Sequence, residues 1–265
     1  MTLFGLVQAS ATSNIAQNFN TVKQFTAYAK ENNCCALCFP EAFLTGYFPQ
    51  QATELALSSD CEFIYQISAL AQKENIDLLV GFMEKYQNQL FLTHGLFTPD
   101  GNCQFYRKTH LGNREKAVFS PGNKIPVFQL SCGFIAGIQL CVENHFPEIS
   151  QTLSLRGAQI IFAPHAVPRT AGDRLKIWSK YIPARSYDNR VYMACCNQWD
   201  DNKFGGGCFV TDPEGEIIAS CFEDAPSLLC FEVDPNKPNL YRSPNTSLKH
   251  SYYPAKRIAD LYESY

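Results

Sequence analysis

Hydrophobic positions along this chain fall into short apolar runs separated by stretches with a helical period. Leu3 to Ala9 reads as a strand, and Ser13 or Asn14 as the cap of a helix carrying Ile15, Phe19, Val22, Phe25 and Tyr28 on one face. Cys35 to Phe39 is a second strand, followed by a helix from about Cys61 to Glu74. Strands near Ile76 to Lys85 and Gln89 to Phe97 precede the turn Thr98-Pro99-Asp100-Gly101, which leads into Cys103 to Arg107.

The second half repeats this grammar. Val127 to Leu130, a Ser-Cys-Gly turn and the apolar run Ile135 to Leu140 form a hairpin, and a helix starts at Pro147 and ends at Arg156-Gly157. Gln159 to Ala163 is a strand that should break at Pro164-His165-Ala166. Asp173 to Asp188 reads as a helix with Ile177, Tyr181, Ala184 and Tyr187 on one side, and Val191 to Asn197 returns as a strand. Phe209 to Thr211 and Glu216 to Cys221 flank a Pro/Glu/Gly turn, and Ser227 to Val233 closes the regular part. The echo between halves predicts two similar sheets packed face to face with helices outside, an α/β fold.

Composition narrows the partners. A chain of 265 residues, 46% hydrophobic, can bury one large core, so residues 1–265 are expected to be a single domain. A net charge of −3 with scattered charges gives no basic footprint, so neither nucleic acid nor an anionic membrane is an expected partner. A small molecule fits better. The start MTLFGLVQAS lacks a basic segment and no apolar run reaches the roughly 20 residues of a membrane span, which predicts a cytoplasmic protein. Twelve cysteines, many in strand-like runs, read as reduced core thiols. Cys35 and Cys38 should point to opposite faces of a strand and hold no metal together.

Three residues at strand-to-loop junctions bring in chemistry. Cys141 ends the run Ile135 to Leu140 just before a helix, an elbow that holds a thiol rigidly, exposes it in part and surrounds it with backbone N–H groups that should favour thiolate. Glu41 lies past the second strand and Lys108 past Cys103 to Arg107. Alone, each has an ordinary reading: a core cysteine, a capping glutamate, a solvated lysine. Together a thiolate can attack a carbonyl carbon, a carboxylate can shuttle the proton to departing nitrogen, and an ammonium can stabilise the oxyanion. A metal set of Cys141, His145 and Glu148 is disfavoured because Pro147 places Cys141 ahead of the helix. A Cys-His protease through His145 or His165 leaves Glu41 and Lys108 unexplained. No G-x-S-x-G occurs, and Gly205-Gly206-Gly207 lacks the lysine of a phosphate loop.

PEAFLTGY around Glu41, YRKTHL around Lys108 and CVENHFPE at Cys141 resemble the three motifs of the nitrilase superfamily of carbon-nitrogen hydrolases, with its Glu-Lys-Cys triad. KTHLGNREKAVFSPG, SLRGAQIIFAPHA and ARSYDNR follow in the family's order, and AKRIADLY resembles its ending, with Ala259 where proline is usual. The resemblance implies a four-layer α-β-β-α sandwich, a thioester intermediate and no metal or organic cofactor. It implies Cys141 as nucleophile, Glu41 as general base and acid, and Lys108 with the Val142 N–H as oxyanion ligands. Glu115 matches a second glutamate placed against the substrate's nitrogen, with Tyr47, Asn144, His145 and His165 as lining or supporting residues.

Glu143 departs from the usual aspartate of amidases and is nitrilase-like, whereas Phe146-Pro147-Glu148 is amidase-like and the chain lacks the long extension of true nitrilases. Hydrolysis of a small amide is therefore expected over that of a nitrile. Asn144 and His145 stand where N-carbamoyl amino-acid hydrolases carry arginines, so a substrate without a carboxylate near the scissile bond is expected. A catalytically silent binding subunit is the non-enzymatic alternative. Residues 235–265, proline-broken and tyrosine-rich, should add no regular element and should pack on a partner subunit, making a homodimer, as the family's C-terminal segments do.

Overall fold

The structure, a computed structural model, describes residues 1–242 and 251–261. One sheet holds β1 (Thr2–Gln8), β2 (Ala36–Cys38), β3 (Asp77–Tyr86), β4 (Gln89–Phe97), β5 (Cys103–Arg107) and β12 (Ser227–Val233), ordered β12-β1-β2-β3-β4-β5. The other holds β6 (Val127–Gln129), β7 (Ile135–Ile138), β8 (Ile160–His165), β9 (Tyr192–Asn197), β10 (Cys208–Thr211) and β11 (Ile217–Cys221), ordered β11-β10-β9-β8-β7-β6. Each has a parallel centre, β1-β2-β3 and β7-β8-β9, and antiparallel flanks.

The sheets face each other across one apolar layer. Phe4 at its centre meets Phe134, Phe162 and Phe231 edge-on at centroid distances of 5.2, 6.0 and 5.9 Å. Burying each such ring contributes roughly 1.5–3 kcal/mol. Helices α1 (Ile15–Glu31) and α3 (Glu62–Glu74) cover the first sheet, while α4 (Pro147–Leu155) and α5 (Arg174–Asn189) cover the second. A single turn α2 (Ala52–Leu55) packs near the end of β3. The architecture is the expected four-layer α-β-β-α sandwich. No helix among the described residues is long and apolar enough to cross a membrane.

Several elements differ from expectation. The second strand is shorter, Ala36–Cys38, so Cys35 lies outside its alternation; both Cys35 and Cys38 touch the inner layer, Cys35 beside Cys132 and Cys38 beside His94. The strand of the second hairpin stops at Ile138, two residues before Leu140. β8 runs on through Pro164 to His165. Its pairing with β7 ends at Phe162 while pairing with β9 continues to His165, so the missing proline N–H faces the side where β7 has stopped. Tyr28 is 46% exposed although α1 buries Val22 and Phe25. In α5 the buried side is Trp178, Ile182, Ser186 and Asn189, with Trp178 and Ile182 inside the apolar cluster against the second sheet; of the expected side only Tyr181 packs against that cluster, and Ile177, Ala184 and Tyr187 lie outside it. The tail carries a short helix, α6 (Asn236–Arg242), where none was expected. Its described parts lie against α4 and α5 of the same chain, with Ser154 Oγ 2.7 Å from the Tyr252 hydroxyl.

One glycine fixes how closely the first site segment approaches the sheet. A Cβ on Gly81 of β3 would lie 2.6 Å from the backbone N of Ala42 and 2.7 Å from His94 Nδ1, and the Gly81 carbonyl accepts from Leu44 N at 2.9 Å. Gly81→Ala is expected to cost about 1–3 kcal/mol through overpacking and to depress activity with it. Denaturant unfolding reads the loss; an unchanged midpoint would contradict this packing account.

Candidate active site

The parallel strands of both sheets run to the same end of the sandwich, and their exits supply the site. Glu41 follows β2, Lys108 follows β5 directly and Cys141 follows β7. Lys108 N donates to Leu92 O at 2.8 Å, while Lys108 O accepts from Gly122 N at 2.8 Å. Gly122 is required there, since a Cβ would fall 2.2 Å from Arg107 O. The Lys108 side chain, fully buried, donates to Glu41 Oε1 at 2.7 Å and to Glu115 Oε1 at 2.8 Å. Glu115 also accepts from the Tyr47 hydroxyl at 2.7 Å and, through Oε2, from Gly112 N at 2.6 Å. Glu41 Oε2 is buried without a partner.

Cys141 opens a five-residue 3-10 helix, Cys141–His145, with φ +47°, a left-handed conformation uncommon for a residue with a side chain. Ala42, next to Glu41, has φ +53°. Two strained positions thus flank the cluster. Glu143 holds the cysteine segment in place: Oε1 accepts from Tyr106 Oη at 2.6 Å, Thr109 N at 2.8 Å, Thr109 Oγ1 at 2.8 Å and His110 N at 3.2 Å, while Oε2 accepts from Leu140 N at 2.7 Å. One carboxylate therefore ties the nucleophile's loop to the loop that carries Lys108. Asn144 Nδ2 donates to Gln139 O at 3.2 Å and Cys141 O at 3.0 Å.

Electrostatics sort the protons. Burial pushes Glu41 up to about 7; Lys108 pulls it down and Glu115 pushes it up again. The half-buried Cys141 is pushed up to about 12 by burial and by Glu41 and Glu115, against Lys108 and the Ala166 N–H, which donates to its sulfur. The expectation that the elbow favours thiolate is corrected accordingly: burial and two carboxylates outweigh one ammonium and the backbone donor, so the resting nucleophile is a thiol. Burial alone would discharge Lys108, but Glu41, Cys141 and Glu115 raise its pKa and keep it charged. Burial, then Glu41 and Glu115, hold Tyr47 protonated.

The structure brings Glu41, Lys108, Cys141, Glu115 and Tyr47 together. Val142 directly follows Cys141 in the first turn of the 3-10 helix, where N–H groups have no intrahelical partner. Asn144 is buried and occupied by backbone carbonyls. His145 lies on the surface, its ring 4.7 Å from Tyr181. His165 is buried 4.8 Å from Trp178 and is pushed down to about 3 by burial, so it is neutral. Among the described residues no three His, Cys, Asp or Glu side chains are grouped as a metal site requires. Sequence reasoning noticed Glu143 without its role, although a glutamate three residues after Leu140 is the spacing of a capping box. It missed Gln139, whose Nε2 donates to Glu143 O at 2.7 Å four residues on, and Gln198, whose Nε2 donates to Glu41 O at 2.7 Å; the second depends on a chain crossing with no local signal.

The carbon-nitrogen hydrolase family model matches residues 3–242, and the chain belongs to that family. It is similar to the deaminated glutathione amidase of Rattus norvegicus, 29% identical over 254 residues that cover 88% of this chain and 76% of the relative. The (R)-stereoselective amidase of a Pseudomonas species is 27% identical over 193 residues, covering 71% and 69%. Among solved structures, the NitN amidase from Nesterenkonia sp. AN1 superposes with a TM-score of 0.85 at 24% identity, covering 98% of each chain. The fold is that of amidases of the nitrilase superfamily.

Glu143→Gln tests the lock. An amide cannot accept all five donors and must aim its own N–H groups at some of them, so a loss of about 2–4 kcal/mol is expected. Thermal unfolding and turnover should fall together; a variant with wild-type stability and activity would show that Glu143 does not hold the loop.

Proposed function

We propose that the protein hydrolyses the C–N bond of a small amide through a thioester on Cys141, releasing ammonia or an amine. The observation that carries this is Lys108, charged and buried between Glu41 and Glu115 beside a cysteine in a strained turn. Glu41 takes the thiol proton as Sγ bonds to the carbonyl carbon. The oxyanion is held by Lys108 and the Val142 N–H, and Glu41 then gives the proton to nitrogen as the C–N bond breaks. Water attacks the thioester, its proton passes to Glu41, and the acid leaves as Sγ recovers a proton. Because the thiol resists ionisation alone, a base poised near 7 beside it is what this step needs. Glu115, hydrogen-bonded to Lys108 and Tyr47, would receive the substrate's nitrogen.

Glu143 gives no support for the nitrile alternative. Its carboxylate is committed to the loop lock, so the difference from aspartate there is read as one of reach rather than of substrate. An amide without a carboxylate near the scissile bond remains the preferred substrate over N-carbamoyl amino acids. Free thiols at all twelve cysteines suit a reducing, cytoplasmic setting. A homodimer built on α4, α5 and the tail is also part of this reading: Tyr187 and Tyr253, 50% and 56% exposed, line a cleft of about 640 Å³ with Pro147 and Glu148.

Ammonia release across a panel of amides, nitriles and carbamoyl compounds tests the class, and amides should lead. Cys141→Ser, Glu41→Gln and Lys108→Met should each abolish turnover without unfolding the chain, with double variants little worse than singles. Substantial activity in Glu41→Gln would overturn the mechanism. Glu41 must be ionised to accept the thiol proton, so kcat/KM should fall about tenfold per pH unit below about 7 and rise to a plateau above it. A flat profile from pH 5 to 8 would contradict the assignment. Truncation near Asn239 should weaken association in light scattering; a truncated chain still dimeric and active would count against the interface.

A further inference from the structure

The orientation of Glu41 has a second determinant, outside the cluster of charged groups. Gln198, at the end of β9, is fully buried, and its Nε2 donates to the backbone carbonyl of Glu41 at 2.7 Å. The Glu41 N–H donates to His165 O at 3.3 Å, and the Gln198 N–H donates to the same oxygen at 3.3 Å. His165 O, Glu41 and Gln198 therefore form a knot that ties the exit of β2 in one sheet to the exits of β8 and β9 in the other. The next residue along, Ala166, donates its N–H to the Cys141 sulfur. One two-residue stretch of backbone, His165-Ala166, thus contacts both the base and the nucleophile.

Gln198 cannot be replaced in this role by a flipped amide, because its oxygen would then face the Glu41 carbonyl. Its orientation is fixed, and Gln198 Oε1 is left buried without a partner. What the donor end does is hold the peptide between Glu41 and Ala42, where Ala42 has φ +53°. A strained residue persists only when its surroundings over-determine it. Without the Gln198 bond, one side of the Glu41 peptide loses its anchor and the carboxylate is free to leave Lys108.

We infer that Gln198 is a positioning residue for catalysis, acting through the Glu41 backbone to keep the Glu41 carboxylate on Lys108 and beside Cys141. This rests on the role given to Glu41 above. Gln198→Met keeps the length and apolar stem and removes the donor. It should lower kcat about 10- to 100-fold while KM stays within about twofold, the range seen when a catalytic group is misplaced. A carboxylate that drifts from Lys108 loses the charge that lowers its pKa, so the acid limb of kcat/KM should move to higher pH. A purely structural role would reduce the amount of active enzyme and leave that limb in place.

A crystal structure of the same variant reads the geometry independently of turnover. Separation of Glu41 from Lys108 supports the inference even where no amide tried is hydrolysed. A Glu41 carboxylate still at hydrogen-bond distance from Lys108 overturns it, as does wild-type kcat in Gln198→Met. If that variant does not fold, Gln198→Asn, one methylene too short to reach the Glu41 carbonyl, should show the same displacement, and its absence there counts equally against the proposal. Failure of the wild-type enzyme on every amide would instead count against the amidase reading.

Discussion

A charged lysine in a closed interior must be compensated, and most of the site follows from how this is done at Lys108. Taking an ammonium out of water costs several kcal/mol after relaxation, and only close, well-aligned anions recover it. Here two carboxylates lie within 2.8 Å of one Nζ. Burial, and then the second carboxylate beside a single charge, leave one carboxylate with a reason to take up a proton. Glu41 is that group, with its second oxygen unpartnered. Glu115, by contrast, is held by Tyr47, Gly112 and Lys108 together. Burial and the different hydrogen-bond partners together set Glu41 apart from Glu115 beside the same lysine.

The scaffold's contribution is to bring residues distant in sequence to one end of two sheets. Arg107, one residue before Lys108, forks onto Glu84 of β3 with two 2.7 Å bonds and fixes the end of β5. Glu143 fixes the Cys141 segment to the Lys108 segment, and the His165 carbonyl fixes Glu41 to the second sheet. Each of these bonds crosses between segments that meet only in the folded chain. The left-handed residues Ala42 and Cys141 sit inside this net, where the neighbouring bonds leave the backbone no relaxed alternative.

Much of this was legible in the sequence, and the failures have physical causes. Sheets, helices and the triad's segments were readable because periodicity and turn residues are local, and the family motifs sit at strand exits. Pro164 reads as a strand breaker in the sequence, but its tolerance depends on where the neighbouring β7 ends, which is a tertiary fact. The buried side of α5 was placed one residue away because Trp178 and Ile182 outrank their neighbours only once the sheet is present. The elbow alone misleads about the protonation of Cys141, because it shows backbone donors and hides both the burial and the two carboxylates that arrive from the loops after β2 and β5. Glu143 is visible as an oddity, but its five donors come from three residues far along the chain, Tyr106, Thr109 and His110, together with Leu140, and the distant ones do not announce themselves locally.

The account stands on a covalent bond that forms at one sulfur and is released by one carboxylate. Intact mass measurement after rapid acid quench of the protein with a small unbranched amide tests it most directly. The expected result is a mass increase equal to the acyl group less one hydrogen, mapped to the peptide containing Cys141 and lost on hydroxylamine treatment, as a thioester requires. The adduct should be absent in Cys141→Ser. An unmodified protein during steady turnover, or an acyl group carried on any other residue, would contradict the account.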